Sequence, residues 1–433
     1  MEYVIEPERK IPIIAEAELL VCGGGVAGIA AAISAARVGA KVMLIEKYGF
    51  LGGLCTGSLV LTTPPLDNGI NAELAQRLKE KGAYVPCQRS GPEVAHLDMY
   101  GIDPEIAKYE FLKWLQEQGV KILLHSYITD VVLEEDVIKG VITHSKAGRQ
   151  AILARSVVDA TGDADIAAMA GAPCRETRKP MTMMFNMVGV DVNKVLENFG
   201  NWSGIKKVVK AGIEKGELLF ELGILPEFGS PGLYAEDLPG EGQINVWSGN
   251  LLGLSGLDPR DLTKAEIITR EHVHRLADFL KRNIPGFEKS RIEVTSTQVG
   301  VRATRNIMGT ASPTLEEATS KKFSDTVVKA FNKPNWPLSE LRLPYGCLVP
   351  QKVENLLVAG RCISAEEQAM GLLRLIPICL LTGQAAGAAA ALSIKQEVAP
   401  RNLDVSWLQK ILEEQGMHLG WGGSKSPWRS SPN

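Results

Sequence analysis

The sequence predicts an α/β protein in which a discontinuous, Rossmann-like nucleotide-binding sheet carries an inserted substrate region of mixed α+β structure. Three observations carry that expectation. The stretch Leu19 to Gly53 reads as strand, glycine turn, helix and second strand. Two later stretches return to the same pattern: Ala151 to Ala170, through ATGD, and Leu343 onward, through the strand Leu356 to Ala359 and a long alanine-rich helix. Between them the composition changes at Gly171 to Pro180, and the following residues mix helices with short strands and glycine or proline turns.

The opening stretch holds Gly23, Gly25 and Gly28 in a GxGxxG frame. Gly23 turns the chain out of the strand, Gly25 removes a side chain where backbone must approach a pyrophosphate, and Gly28 lets the helix pack on the sheet. The helix that begins at Val26 and Ala27 offers unpaired N–H groups and a positive dipole end to the phosphates. Glu46 stands 18 positions beyond Gly28, at the end of the second strand. A carboxylate there accepts hydrogen bonds from adenosine ribose hydroxyls and disfavours a 2′-phosphate, which favours NAD or FAD over NADP.

A chain of 433 residues accommodates two domains, or one interrupted by another. Hydrophobic residues at 45% and charged residues at 22% are a globular balance, and a net charge of −3 argues against nucleic acid or an anionic membrane as partner. Seven cysteines, an odd number without a CxxC pair or histidine clustering, read as reduced thiols and support no disulfide framework or metal site. The first residues, MEYVIEPERK, lack the apolar run of a signal peptide, so a cytoplasmic location is expected. Leu375 to Ile394 runs 20 residues without a charge, long enough for a membrane span. Pro377, Gly383, Gln384, Gly387 and the many alanines point instead to a tightly packed interior helix and to no membrane span.

Taken in order, Tyr48 to Ser58 reads as a glycine-rich loop, Thr62 to Gly69 as a turning segment, and Asn71 to Lys81 as helical. Asp103 as N-cap and Pro104 at the first helical position start a helix over Glu105 to Gln118, which Gly119 ends. Lys121 to Leu133, Val137 to Ser145 and Ala151 to Asp159 follow as strands. The segments 193–198, 204–215 and 264–282 read as helices, and 181–190 as a strand.

With these pieces in order, the chain resembles the FAD-dependent oxidoreductases whose flavin domain is of the glutathione-reductase type, near the fumarate-reductase flavoproteins. The motifs are GGGVAGIAAAISAARVGAKVMLIEK, GFLGGLCTG, VVDATGDADIAAMAGAP, VGVRATRNIMG, NLLVAGRCIS and GQAAGAAAA. The resemblance implies FAD, with Gly23, Gly25, Val26, Ala27 and Gly28 at its pyrophosphate, and Glu46 and Lys47 at the adenosine rim. It implies Gly52 and Gly53 on the ribityl or flavin side, Ile128 against adenine, and Gly162 and Asp163 closing over the pyrophosphate. Gly360 and Arg361 would flank the ribityl phosphate, and a helix N-terminus at Ile376 and Pro377 would face the flavin pyrimidine, where a positive dipole end stabilises negative charge. The FAD-binding domain would comprise 15–175 and 340–400, with 57–102 on the substrate side. The substrate domain would cover 176–339, and a C-terminal helix and tail 401–433.

No second GxGxxG follows a strand, so a separate NAD(P)H domain is not expected. Cys55 has Val60 and Ser58 where a redox partner would stand, which excludes dithiol chemistry there. For catalysis, Arg302 and Arg305 in VRATR would share a helix face and could hold a carboxylate, or pair with structural acids. Arg374, in the apolar GLLRLIP, is a candidate anion clamp, against an ion pair with Glu366 or Glu367. His96, Asp98 and Tyr100 alternate on one expected strand face, which offers a proton-transfer histidine or a solvated edge. The expected reaction is hydride transfer between a small organic substrate, with the arginines favouring an acid, and flavin N5. A monooxygenase or oxidase using O2, and a non-catalytic FAD-carrying subunit, are the alternatives. Oligomeric state, a homo-oligomer included, stays open.

Overall fold

The computed structural model describes residues 3–87, 99–219, 224–225, 230–231, 233–330 and 340–420. Strand β1 (Ile13–Cys22) runs into helix α1 (Val26–Val38) and strand β2 (Val42–Ile45). Helix α2 (Pro104–Glu117) follows, capped by Asp103, whose carboxylate accepts from the N–H groups of Glu105 and Ile106. Strands β3 (Lys121–Leu123), β4 (Tyr127–Glu134), β5 (Val137–Ser145) and β6 (Gly148–Asp159) then complete most of a seven-stranded sheet. Its order is β3-β2-β1-β6-β5-β4.

β1 lies parallel between β2 and β6, with Val21 opposite both Leu44 and Val158. The chain therefore leaves β1 and returns to it at β6, so the turns after both strands open at the same sheet end. β5 lies antiparallel along the first half of β6. The second half pairs in parallel with the last strand of the sheet, Leu356–Val358. The expected continuous strand 121–133 breaks at His125, which adopts φ +55° and so turns the chain between β3 and β4.

The inserted region builds its own antiparallel sheet from β7 (Met184–Val188), β8 (Leu233–Asp237), β9 (Ile244–Ser248) and β10 (Arg291–Thr295), ordered β8-β9-β7-β10. Alternation along the strands separates two faces. Phe185, Met187, Ile244 and Val246 point into a second core with helix α3 (Pro259–Asn283), in which Phe279 and Phe287 are also buried. Met184 turns the other way, joining Leu59, Leu61 and Leu238 in a small separate cluster with Trp247 at its edge. The face of the inserted sheet opposite its own core thus meets loop 57–61 of the nucleotide half.

The chain then re-enters the first core, which holds Ile307, Ala318, Val327, Val328 and Ala330. Helix α4 (Ile376–Gln396) runs through that core with every residue from Ile376 to Ser393 buried. It is the one described helix long and apolar enough to cross a membrane, and it lies wholly inside the fold. It packs on α1 at backbone distance, since a Cβ at Gly383 would come within 2.1 Å of Ala27 O and one at Gly387 within 2.0 Å of Ala31 O. The small-residue helices read from the sequence are the two faces of this contact.

One expected element is corrected. Arg302 and Arg305 do not share a helix face, because Gly300–Val301 and Arg305–Ile307 are strands. The β-branched and apolar residues of VGVRATRNI pair across to Met181–Thr182 and Cys174–Glu176, with Arg305 opposite Glu176. A spacing of three in extended chain separates the two arginines instead of stacking them.

Candidate functional site

The turn after β1 is a backbone structure. Gly23 adopts φ +110°, a conformation that favours glycine, and a Cβ there would lie 2.4 Å from Ala160 O. A Cβ at Gly28 would lie 1.8 Å from Gly23 O, so this glycine is required by packing. Gly25 differs, because a Cβ there would meet only the Cα of Gly53, at 3.8 Å. It is the N-cap of α1 and no side chain caps that helix. The first-turn N–H groups, those of Val26 and Ala27 among them, thus end a long helix beside an open glycine face, the chemistry that receives a phosphate.

Gly52 and Gly53 form the opposing wall. Gly52 N–H donates to Gly24 O at 2.8 Å, and a bridge pairs Gly25 with Gly52. Tyr48 to Ser58, read as a loop, contains one helical turn, Leu54–Gly57. Glu46, buried at the end of β2, accepts from Gly24 N–H at 2.6 Å through one carboxylate oxygen and from Tyr48 N–H at 2.9 Å through the other. It holds the glycine turn in place. Lys47 sits over the rings of Tyr48 and Tyr127, at 5.1 and 6.0 Å. Ile128 follows Tyr127 on β4, and Ser126 N–H donates to Glu46 O at 3.0 Å, so this strand start borders the end of β2.

The turn after β6 is built around Asp159, which sequence reasoning passed over. Its carboxylate is fully buried and accepts from Thr161 N–H and Oγ at 3.0 and 2.7 Å, and from Ala167 N–H at 3.0 Å. Burial raises its pKa above the usual carboxylate value. The signal was present in the sequence as an acid at the end of an apolar strand, directly before a small-residue turn.

Asp163 pairs with Arg361 at 3.2 Å and accepts from Thr304 Oγ at 2.7 Å, while Arg361 also donates to Arg302 O at 3.3 Å. This node ties the turn after β6, the turn after Leu356–Val358 and the returning end of the inserted region. Gly162 adopts φ +84°, and a Cβ there would come within 2.8 Å of the Arg361 guanidinium. Gly360 N–H donates to Thr382 Oγ at 3.1 Å, and a Cβ at Gly360 would lie 2.9 Å from that of Ala27. The start of α1 at Ala27 and the second turn of α4 at Thr382 therefore flank one glycine turn, and Ile376 and Pro377 form the first turn of α4.

The structure disperses the expected catalytic side chains. Arg302, nearly buried, donates to Pro180 O and Thr182 Oγ, both at 2.8 Å. Arg305 reaches Asp165 at 3.5 Å, near Asp159 on the nucleotide side. Arg374 ends the short helix Met370–Leu373 two residues before α4, and Glu367, one of the acids considered for it, pairs with Lys179 at 3.0 Å. His96 and Asp98 lie outside the described residues, and Tyr100 stacks on Tyr84 with ring centroids 4.5 Å apart. All seven cysteines are free, and no metal-ligating cluster occurs among the described residues.

Comparison with known proteins gives the family and the fold. A profile of a family described as FAD dependent oxidoreductase matches residues 18–412. Thiamine thiazole synthase of Methanococcus aeolicus is 30% identical over 168 residues, 35% of this chain and 57% of that protein. The tRNA uridine 5-carboxymethylaminomethyl modification enzyme MnmG of Geobacillus kaustophilus is 29% identical over 159 residues, 34% of this chain and 24% of that protein. The chain thus spans 57% or less of the length of these two relatives. Among solved structures, a geranylgeranyl bacteriochlorophyll reductase-like protein of Thermoplasma acidophilum superposes with a TM-score of 0.51 at 14% identity, over 93% of this chain and 85% of that one, which shows a shared fold.

Proposed function

The chain belongs to the FAD dependent oxidoreductase family, and from that premise we propose that it transfers a hydride between a small organic acid and the flavin. The observation that carries the reading is the uncapped start of α1 facing the Gly52–Gly53 wall, a cradle for one dinucleotide, in a sequence with no second such fingerprint. When bound, FAD supplies two-electron acceptance and donation at N5. The chain's part is to hold and orient it. The first N–H groups of α1 would hold the pyrophosphate, and Glu46, which fixes the glycine turn, would offer its remaining lone pairs to the ribose. The start of α4, at Ile376 and Pro377, would offer a positive dipole end to the flavin. The inserted sheet would supply the contacts to the substrate.

The test is anaerobic flavin bleaching by a panel of small acids, alcohols and amines, with photoreduced protein run against alkenes in parallel. Bleaching by an acid, followed by slow reoxidation in air, is the expected result. A protein that carries no flavin absorbance and takes up no FAD would sink the reading. Fast O2 consumption coupled to substrate hydroxylation would move the chain to the monooxygenases.

A further inference from the structure

Three consecutive carbonyls after the helical turn Leu54–Gly57 are gripped by the inserted region. Gly57 O accepts from Thr297 N–H at 2.9 Å, Ser58 O from Ser296 Oγ at 3.0 Å, and Leu59 O from Asn245 Nδ2 at 3.2 Å. Leu59 sits at φ +53°, a region that branched side chains adopt only under strain. In the seam so formed, Ser58 is 0% and Asn186 is 1% exposed. Ser58 Oγ and Asn186 Nδ2 have no hydrogen-bond partner. Buried polar groups are almost always paired, so two such atoms in one seam call for an explanation.

The chemistry of the Asn186 atom follows from its neighbours. An indole nitrogen only donates, so the Asn245 atom that meets Trp247 Nε1 at 3.1 Å is Oδ1. Asn245 Nδ2 is then the donor to Leu59 O and, at 2.9 Å, to Asn186, which must present Oδ1 to it. What Asn186 has left over is its NH2 group, a donor. Ser58 stands at the same seam as Arg302. A Cβ at Gly300 would lie 3.6 Å from Ser58 Cβ and 3.0 Å from Thr182 O, and the Thr182 hydroxyl accepts from Arg302.

A hydroxyl and an amide donor that lack an acceptor match an anionic acceptor. We propose that the Ser58–Asn186 seam reads the substrate of this site and takes the carboxylate of a small organic acid, with Asn186 Nδ2 and Ser58 Oγ each donating to it. The inference rests on the FAD oxidoreductase reading and deepens it by assigning the residues that select an acid. The seam begins five residues after Gly53, the glycine that faces the start of α1. Both residues are buried, so bulk water does not supply the acceptor they lack.

The FAD-loaded full chain is titrated with benzoate, succinate and benzyl alcohol while the flavin absorbance spectrum is followed. At least one carboxylate should perturb the spectrum saturably, and benzyl alcohol should not. Asn186→Leu and Ser58→Ala should each weaken the carboxylate by about 10- to 100-fold. Asn186→Asp, which sets an acceptor where the donor stood, should abolish the perturbation. Flavin content and melting curves establish that each variant is folded, and Ser58→Ala, the smallest change, carries the test if the Asn186 variants unfold. If flavin is retained but neither carboxylate moves the spectrum, or if the variants bind as tightly as the parent, the donors serve only a buried water. That result overturns this inference and leaves the oxidoreductase reading standing. A chain that binds no flavin overturns both, and the two failures are told apart by the flavin content alone.

Discussion

The two halves of this protein build binding sites from different materials. The nucleotide half uses backbone: a helix start without a side-chain cap, glycines that leave room, and one buried carboxylate that fixes the turn. The inserted half uses side chains: Asn245 and Ser296 donate to carbonyls of the 57–59 loop, Asn186 stands behind Asn245, and Arg302 holds Pro180 and Thr182. A backbone site depends on spacing within one short stretch. A side-chain site depends on contacts between residues far apart in sequence, and it can change its ligand without changing the fold.

The contrast is broken first within the glycine turn itself. Gly28→Ala places a Cβ 1.8 Å from Gly23 O, a backbone atom that cannot swing away. It should cost about 3 kcal/mol or more and remove FAD binding through loss of the fold. Gly25→Ala meets only Gly53 Cα at 3.8 Å and already has φ −70°, which alanine accepts. Stability without FAD should then change by less than about 1 kcal/mol, while FAD affinity drops by about tenfold or more because the new methyl stands where the pyrophosphate approaches. Urea unfolding with and without FAD separates the two. Equal loss of stability in both variants would show that the turn is one packed unit with no ligand face.

A smaller effect tests whether the halves are coupled where they meet. Asp163→Asn removes the charge facing Arg361 and weakens the bond from Thr304, and it should cost about 1–3 kcal/mol. Thr304→Val lies on the returning end of the inserted region. Its effect should be much smaller in the Asp163→Asn background than in the parent, which a double-mutant cycle reads directly. Full additivity would mean that the two halves are merely adjacent at this node.

The same contrast explains what could be read from the sequence. GxGxxG with Glu46, the Asp103–Pro104 helix start and the alanine-rich helices are local patterns, and each occurs where spacing places it. Asp159 went unread although its partners Thr161 and Ala167 are local, because an acid ending an apolar strand reads only as a strand end; the Asp163–Arg361–Thr304 node went unread because its members lie on three separate stretches of the chain. The arginines of VRATR were misplaced for a related reason: an i, i+3 spacing implies a shared face only in a helix, and Val, Ala, Thr and Ile allow a strand equally well. Asn186 offered no signal at all, since its meaning comes from Asn245 and Trp247 across the sheet and from a loop more than a hundred positions earlier.

The finest test of the nucleotide half is its response to pH. Burial first, and then the neighbouring Asp159 and Asp163, push the Asp165 carboxyl up to about 6, against the opposing pull of Arg305 and Lys47. An acid whose pKa is higher in the folded than in the unfolded chain gives the folded state more bound protons between the two values. Stability therefore falls as pH rises from about 4 through about 6, and the stabilisation present below that window is lost above it. The buried Asp159 is raised in the same direction, so the parent slope alone does not isolate Asp165. The difference between the parent and Asp165→Asn does. The variant should melt higher than the parent at pH 7, converge with it near pH 4, and show a flatter dependence between, as read by melting temperature across that range. Parallel curves would mean that Arg305, at 3.5 Å, neutralises Asp165 fully, making the turn after β6 a settled ion pair instead of a crowd of acids.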